Sequence, residues 1–278
     1  MIVSVYLVMI GALLLFPQIC AQAAKEALIV WGLHVTPSLF PYMVLSRMLA
    51  ERLKKTSLPP WCTCALLGAL GGSPSGAALI ACAHTRLSAK NILALCAFTG
   101  TISPMFFFGT INGWTKDSLL CGQLFLAQFL GAALTAILVR ILPFRVSSTK
   151  TDDAIKEKNE RGTMAQSIDA VLQIGGCIIC FSVFAALMSL LPLPQELLPF
   201  LHAVLEISGG VHAVIHFPFS EFTRQIILAA VSGFGGLSIL SQNLLFLKPA
   251  GLRGETLFLL SLIRALFSAL VMGLLVML

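Results

Sequence analysis

The sequence predicts an all-α polytopic membrane protein: about seven spanning helices plus two re-entrant hairpins, arranged as an inverted repeat. Three observations predict it. The chain is built from long uncharged stretches. Four glycine-rich polar breaks interrupt those stretches in two matched pairs. The basic residues also fall on one side only if two of the broken stretches turn back on themselves.

Hydrophobic residues make up 58% of the 278 positions, charged residues 11%, and the mean hydropathy is +0.94. A soluble domain carries about 25% charged residues, so this composition belongs to lipid. Uncharged runs cover 1–24, 27–46, 56–85, 91–115, 118–139, 170–195 and 225–247. Most exceed the ~20 residues that cross a ~30 Å hydrocarbon core. Alternating ten-residue strands of the outer-membrane barrel kind are absent from the sequence. The net charge of +6 records loop orientation rather than a nucleic-acid surface, and no nucleic-acid partner is expected.

Taken in order, residues 2–16 have a signal-peptide-like apolar core, and Ala21-Gln22-Ala23 resembles a cleavage site. With no basic segment before it and enough length to span, this stretch reads as a retained first helix. A full helix follows over 27–50. The segment 62–83 is broken at Gly71-Gly72-Ser73-Pro74-Ser75-Gly76, and the next apolar stretch at Thr99-Gly100-Thr101-Ile102-Ser103-Pro104. A full helix at 118–139 closes a first half, 1–143. Residues 144–165, with a dense mixed-charge run from Arg145 to Arg161, form a cytoplasmic linker. The second half, 166–278, repeats the order. It has a full helix at 167–191, a segment at 197–218 broken at Glu206-Ile207-Ser208-Gly209-Gly210, and another break at Ser232 to Ser238. A last full helix carries Arg264. Gly71 and Gly100 are 29 apart and Gly209 and Gly236 are 27 apart, so the halves are offset by about 135 positions.

The segments 62–83 and 197–218 have about eight apolar residues on either side of their breaks, and eight helical residues reach only ~12 Å. Hairpins entering and leaving on one side fit that length. With both as hairpins and Arg52 inside, thirteen of sixteen loop-flanking basic residues are cytoplasmic, and only Lys25, Lys116 and Arg224 lie outside. If every segment spans, the two orientations place only six or ten inside. Positive-inside bias therefore favours hairpins, and the two halves then run in opposite directions.

A break in lipid strands amides and carbonyls, each costing several kcal/mol unless satisfied. It persists where protein buries it or a watery cavity solvates it, and the freed groups can then hold a polar solute. The candidate solute-binding residues are Ser73, Pro74, Ser75, Gly76, Thr101, Ser103, Glu206, Ser208, Gly209, Gly235, Gly236, Ser238 and Gln242. The bland alternative is that the glycines are close-packing contacts between helices. Glu206, between Leu205 and Ile207, is an intramembrane acid; it serves as solute acceptor or proton or cation site, or as a structural acid bonded to a free amide. Arg264 either snorkels or meets Glu206. Arg47 and Glu51, four apart, pair along one helix. Trp31, Trp61 and Trp114 fall near predicted helix ends, as an aromatic belt requires. The eight cysteines read as packing residues, since Cys62-x-Cys64 and Cys177-x-x-Cys180 lack zinc-like completion. His202, His212 and His216 pair with no carboxylate in metal spacing, so neither a metal nor a cofactor is expected.

Several of these stretches resemble the bacterial nucleoside-recognition (Gate) membrane proteins, within them the YlbJ-type sporulation integral membrane family. The residues that carry the resemblance begin with Trp31, Pro37-Ser38-Leu39-Phe40-Pro41, Gly72 to Ala77 and Ser103-Pro104-Met105-Phe106. They continue with Ile174 to Phe181, Glu206-Ile207-Ser208-Gly209 and Gly233 to Ser238 with Gln242. The resemblance implies Gate domains built on re-entrant hairpins, as in concentrative nucleoside transporters, and a Gram-positive, spore-forming source.

The sequence thus points to a transporter or permease for a small polar, nucleoside-like solute, with a proton or sodium as coupling ion. It would sit in the cell membrane as a multi-pass protein, and homo-oligomerisation is compatible with it. The alternative is a non-transporting membrane scaffold or assembly factor for spore formation. An enzyme is not expected: His-Glu-x-x-His is absent, and no Ser–His pair can be placed together from the sequence.

Overall fold

The computed structural model describes residues 2–53, 58–142 and 162–277. The bulk of the charged linker lies outside the described residues. Helices fill almost all of what is described, and no strand occurs among those residues. In chain order the helices begin with α1 (Ile2–Leu15), α2 (Pro17–Ile29), a π-helical stretch (Val30–Val35) and α3 (Thr36–Leu53). Next come α4 (Pro60–Gly71), α5 (Ser75–Ala83), α6 (Ala89–Thr99), a second π stretch (Phe106–Ile111), α7 (Asn112–Thr115) and α8 (Ser118–Ile141). The second half contains α9 (Thr163–Met188), α10 (Leu198–Leu205), α11 (Ile207–His216), α12 (Glu221–Phe234), α13 (Gly236–Leu247) and α14 (Gly254–Met277).

Among the described residues four helices are long and apolar enough to cross a membrane: α8, α9, the 30-residue stretch Glu221–Ala250 that contains α12 and α13, and α14. A fifth would be the pair α1 and α2, which is bent by 100°. Other apolar stretches are divided into shorter helices, Pro60–Gly71 and Ala89–Thr99 among them.

That bend corrects the expected first helix over 1–24. The chain breaks at Phe16 (φ −123°, ψ 51°) and runs helically through Lys25 and Glu26 instead. Pro17 explains it. Proline pushes the residue before it out of the helical region, and its own missing N–H suits the first position of a new helix. Trp31 also departs from expectation. It sits inside the continuous helical run from Pro17 to Leu53, not at its end. Its indole lies on Gly175 of α9 and donates to the carbonyl of Val171 at 3.2 Å. Arg47 does not pair with Glu51, which is exposed; its Nη1 reaches Gln166 Oε1 at 3.4 Å across to α9.

The two helix pairs flanking the first breaks of each half fold back antiparallel. In the first, Gly68 of α4 faces Gly76 of α5, and Cys64 Sγ lies 3.7 Å from the Leu79 carbonyl. In the second, Gly210 of α11 lies on Ala203 of α10 so closely that a methyl group there would collide with the Ala203 backbone. About the first tip the paired positions sum to 144 and 143, as an antiparallel hairpin requires. α4 ends because Gly72 adopts φ +63°, a left-handed conformation costly for any residue with a Cβ.

The longest helices pack on one another through small residues. Gly131 of α8 meets Ser268 of α14, and Gly233 of α12 meets Ala265 of α14. Lipid offers no hydrophobic drive between helices, so close backbone approach supplies the attraction. Gly210→Ala is expected to destabilise the second hairpin by about 1–3 kcal/mol, read as a lower melting temperature in detergent, whereas Gly113→Ala, at an open position, is expected to leave it unchanged.

Candidate functional site

Each hairpin tip rests on the helix break of its own half. At the first tip, the Ser73 amide donates to the Thr101 carbonyl at 2.6 Å. Gly72 lies against Thr101 and Ser103 so closely that a Cβ would stand 2.5 Å from the Ser103 amide nitrogen. Gly76 packs on Thr99, and the Ser75 hydroxyl donates to the Gly72 carbonyl at 2.8 Å. Pro74 follows a cis peptide bond. Tyr42 of α3 props the tip by donating its phenolic hydroxyl to the Leu67 carbonyl.

At the second tip, Glu206 is extended (φ −143°, ψ 128°) between α10 and α11, and its carboxylate accepts the Gly209 amide at 2.9 Å. It is 7% exposed. This is an N-cap: a side-chain oxygen takes one of the amides that the first helical turn cannot pair. Gly236, at φ +83°, lies against Ile207, Ala203 and Leu205 of this tip. Gly235 (φ +84°) ends α12. Ser208 is half-buried and Gly209 exposed.

α13 joins the two tips. Gly236 touches the second tip. Asn243, seven residues on, holds the first: Ser73 Oγ lies 3.1 Å from Asn243 Oδ1 and 2.9 Å from its Nδ2. At 1.5 Å per residue the tips are about 10 Å apart along α13. Between these ends Gln242 Nε2 donates to Ser238 Oγ at 3.2 Å, and both residues are buried. The predicted residues thus form two groups. Ser73 to Gly76, Thr101 and Ser103 make one; Glu206, Ser208, Gly209, Gly235 and Gly236 make the other; Ser238 and Gln242 lie on the connecting helix.

Each group also reaches across the halves. Ser73 of the first hairpin binds Asn243 of the second half. His212 of the second hairpin meets the edge of Trp114 of the first half at 5.4 Å.

Two buried side chains answer the breaks: Gln128, which sequence reasoning missed, and Arg264, whose partners it did not find. Gln128 of α8 accepts the Ile102 amide at 3.1 Å and donates to the Ile102 carbonyl at 3.0 Å. One amide side chain thereby satisfies both polar groups of the residue at the centre of the second break of the first half. Arg264 of α14 neither snorkels nor meets Glu206: its Nε donates to the Gly233 carbonyl at 2.6 Å and its Nη1 to the Ala97 carbonyl at 3.3 Å. Positions 128 and 264 are 136 apart, close to the offset of about 135 between the breaks. That spacing, applied to polar residues inside the last helix of each half, is the signal that would have found them. Asn243, which the sequence already places on the partner surface with Gly235, Gly236, Ser238, Ser241 and Gln242, stands next to Gln242.

The histidines serve other ends. His202 Nε2 lies 2.7 Å from Ser189 Oγ, which itself donates to the Ala185 carbonyl at 3.0 Å. A hydroxyl whose hydrogen is given to a carbonyl can only accept from the imidazole. No group of three His, Cys, Asp or Glu able to hold a metal occurs among the described residues.

A curated relative aligns with nearly the whole chain. The chain is similar to the sporulation integral membrane protein YlbJ of Bacillus subtilis (strain 168). The two are 26% identical over 336 aligned positions, which cover 97% of this chain and 80% of the relative. No family profile matches the chain, and neither does any solved structure. An integral membrane homologue and helices of spanning length together make this a multi-pass membrane protein.

Gln128→Leu is expected to cost roughly 2–6 kcal/mol, because it leaves both an amide and a carbonyl of Ile102 buried and unpaired at about 1–3 kcal/mol each. Thermal unfolding in detergent checks it, with Gln123→Leu on the same helix as the comparison.

Proposed function

We propose that the protein is a permease-like protein of the cell membrane, acting in sporulation, that binds a small polar solute between the two hairpin tips. The observation that carries this reading is the seating of both tips on helix breaks joined by α13. Its buried Ser238, Gln242 and Asn243 present amide and hydroxyl groups between a hydroxyl tip at Ser73 and an acid tip at Glu206. Broken helices in matching positions of two halves are where transporters of several folds hold solutes. In this reading the antiparallel pairs α4–α5 and α10–α11 are re-entrant hairpins of an inverted repeat, and the linker 144–165 joins its halves on the cytoplasmic side.

The contacts are of a kind that can exchange. The Ser73 hydroxyl and Asn243 amide bind each other, and a neutral solute with donor and acceptor groups on one edge would replace each in turn. Glu206, already held by an amide, adds an acceptor or a proton site. A nucleoside-like solute has the required neutrality and hydrogen-bonding edge. The sporulation role rests on the name of the relative.

One observation favours a second reading, a non-transporting scaffold for spore formation. The polar groups at the breaks satisfy one another: Gln128 on Ile102, Glu206 on Gly209 and Ser73 on Asn243 need no solute to stay buried.

Proteoliposomes offered radiolabelled nucleosides, amino acids and sugars decide between them. Transport predicts saturable uptake of one class, lowered about tenfold by Asn243→Ala, which is the loss of about 1.4 kcal/mol of binding. Absence of saturable uptake across the panel, with sporulation restored in a deletion strain by a Glu206→Gln, Ser75→Ala double variant, would leave the scaffold. For the topology, cysteines introduced at Leu58 and Ser88 are expected to react with an impermeant thiol reagent from the same face; labelling from opposite faces overturns the re-entrant hairpin.

A further inference from the structure

Arg264 stands near the middle of α14, at the eleventh of its 24 positions, and is 2% exposed. A guanidinium at such a depth is costly unless it is paired. Its hydrogen bonds go to two backbone carbonyls and one hydroxyl, with Nη2 donating to Ser261 Oγ at 3.1 Å. No carboxylate is among these partners.

The two carbonyls have something in common. Ala97 lies in the last turn of α6 and Gly233 in the last turn of α12. The last four carbonyls of a helix have no partner within it, and each helix C-terminus carries roughly half a negative charge. Two such ends pointed at one guanidinium supply about one negative charge between them, which matches the single positive charge of arginine. The two helices come from different halves of the chain, and each is the one that stops at its half's second break.

The surrounding residues are shaped to this arrangement. A Cβ at Gly100, directly after α6, would stand 2.6 Å from Arg264 Nη1 and 2.7 Å from the Cys96 carbonyl. A Cβ at Gly233 would stand 2.8 Å from the Ala265 Cα and 2.9 Å from the Arg264 carbonyl. Both glycines let the helix ends come close enough for one side chain to bridge them.

Unwound carbonyls and half-helix C-termini inside a membrane are where a transporter otherwise coordinates a metal cation. We infer that Arg264 is a built-in cation at this junction, filling with a tethered guanidinium the place that a bound sodium or other monovalent cation would take, and so locking the two broken helices together. The junction then needs no cation from solution. A coupling ion, where one acts, must bind elsewhere. The inference stands on the geometry of α6, α12 and α14 and does not depend on whether the protein transports.

The test compares charge with hydrogen bonding. In detergent-purified full-length protein, Arg264→Lys keeps the charge and Arg264→Gln keeps donors without it. The inference expects the Lys variant to melt about 5 °C or more above the Gln variant; equal melting, or Gln above Lys, overturns it. Arg264→Ala opens the space, and its melting temperature is expected to rise toward the parent's with millimolar methylguanidinium and not with the neutral isostere methylurea. Equal rescue by methylurea overturns the inference.

Discussion

Every backbone group that enters the hydrocarbon must find a partner inside the protein, and this requirement shapes the whole molecule. Continuous helices meet it for themselves. The chain departs from helix at Gly72 to Pro74, around Ile102, at Glu206 and at Gly235, and at each place a group beyond the ordinary helical ladder answers. The Thr101 carbonyl takes the Ser73 amide. Gln128 takes both groups of Ile102. The Glu206 carboxylate takes the Gly209 amide. Arg264 takes the Gly233 carbonyl and reaches across to Ala97. Since each unmade bond costs several kcal/mol in lipid, these few side chains hold the breaks in place.

The same contacts connect the halves. α8 and α14 lie together along a seam of small residues, with Gly131 on Ser268, and each turns one buried polar side chain toward a break. Ser73 and Asn243 connect the first hairpin to the second half, and Trp114 and His212 connect the second hairpin to the first. Most of the bonds that fill the breaks lie within one half, and Arg264 on Ala97 and Ser73 on Asn243 tie the halves together. At the first tip Ser73 and Asn243 bind each other through hydrogen bonds of the kind a polar solute can replace. The function proposed for the protein lives there.

Much of this was legible in the sequence. The breaks at 71–76, 99–104, 206–210 and 232–238 are where the helices stop, because glycine, proline and serine disfavour helix wherever they occur. The antiparallel pairs follow from short apolar arms on either side of a break. Other expectations failed for local reasons with tertiary causes. Pro17 moved the first break to Phe16, upstream of the charged pair Lys25–Glu26. Trp31 looked like an interfacial residue until Gly175 offered it a slot on α9, and Arg47 found Gln166 rather than the glutamate one turn away.

The sequence by itself determined the solvent, the helical class, the places where helices break and the duplication of those breaks. Each of these follows from composition, spacing and local conformational preference, which are properties of neighbouring residues. Only the tertiary structure decided what meets each break. Hydrogen bonds between Gln128 and Ile102, Asn243 and Ser73, or Arg264 and the ends of two helices join residues 26 to 170 positions apart. An intramembrane arginine announces that it needs a partner, but a carboxylate and a helix C-terminus satisfy the same charge. Which of them lies within reach is fixed by the packing of helices, not by the order of residues.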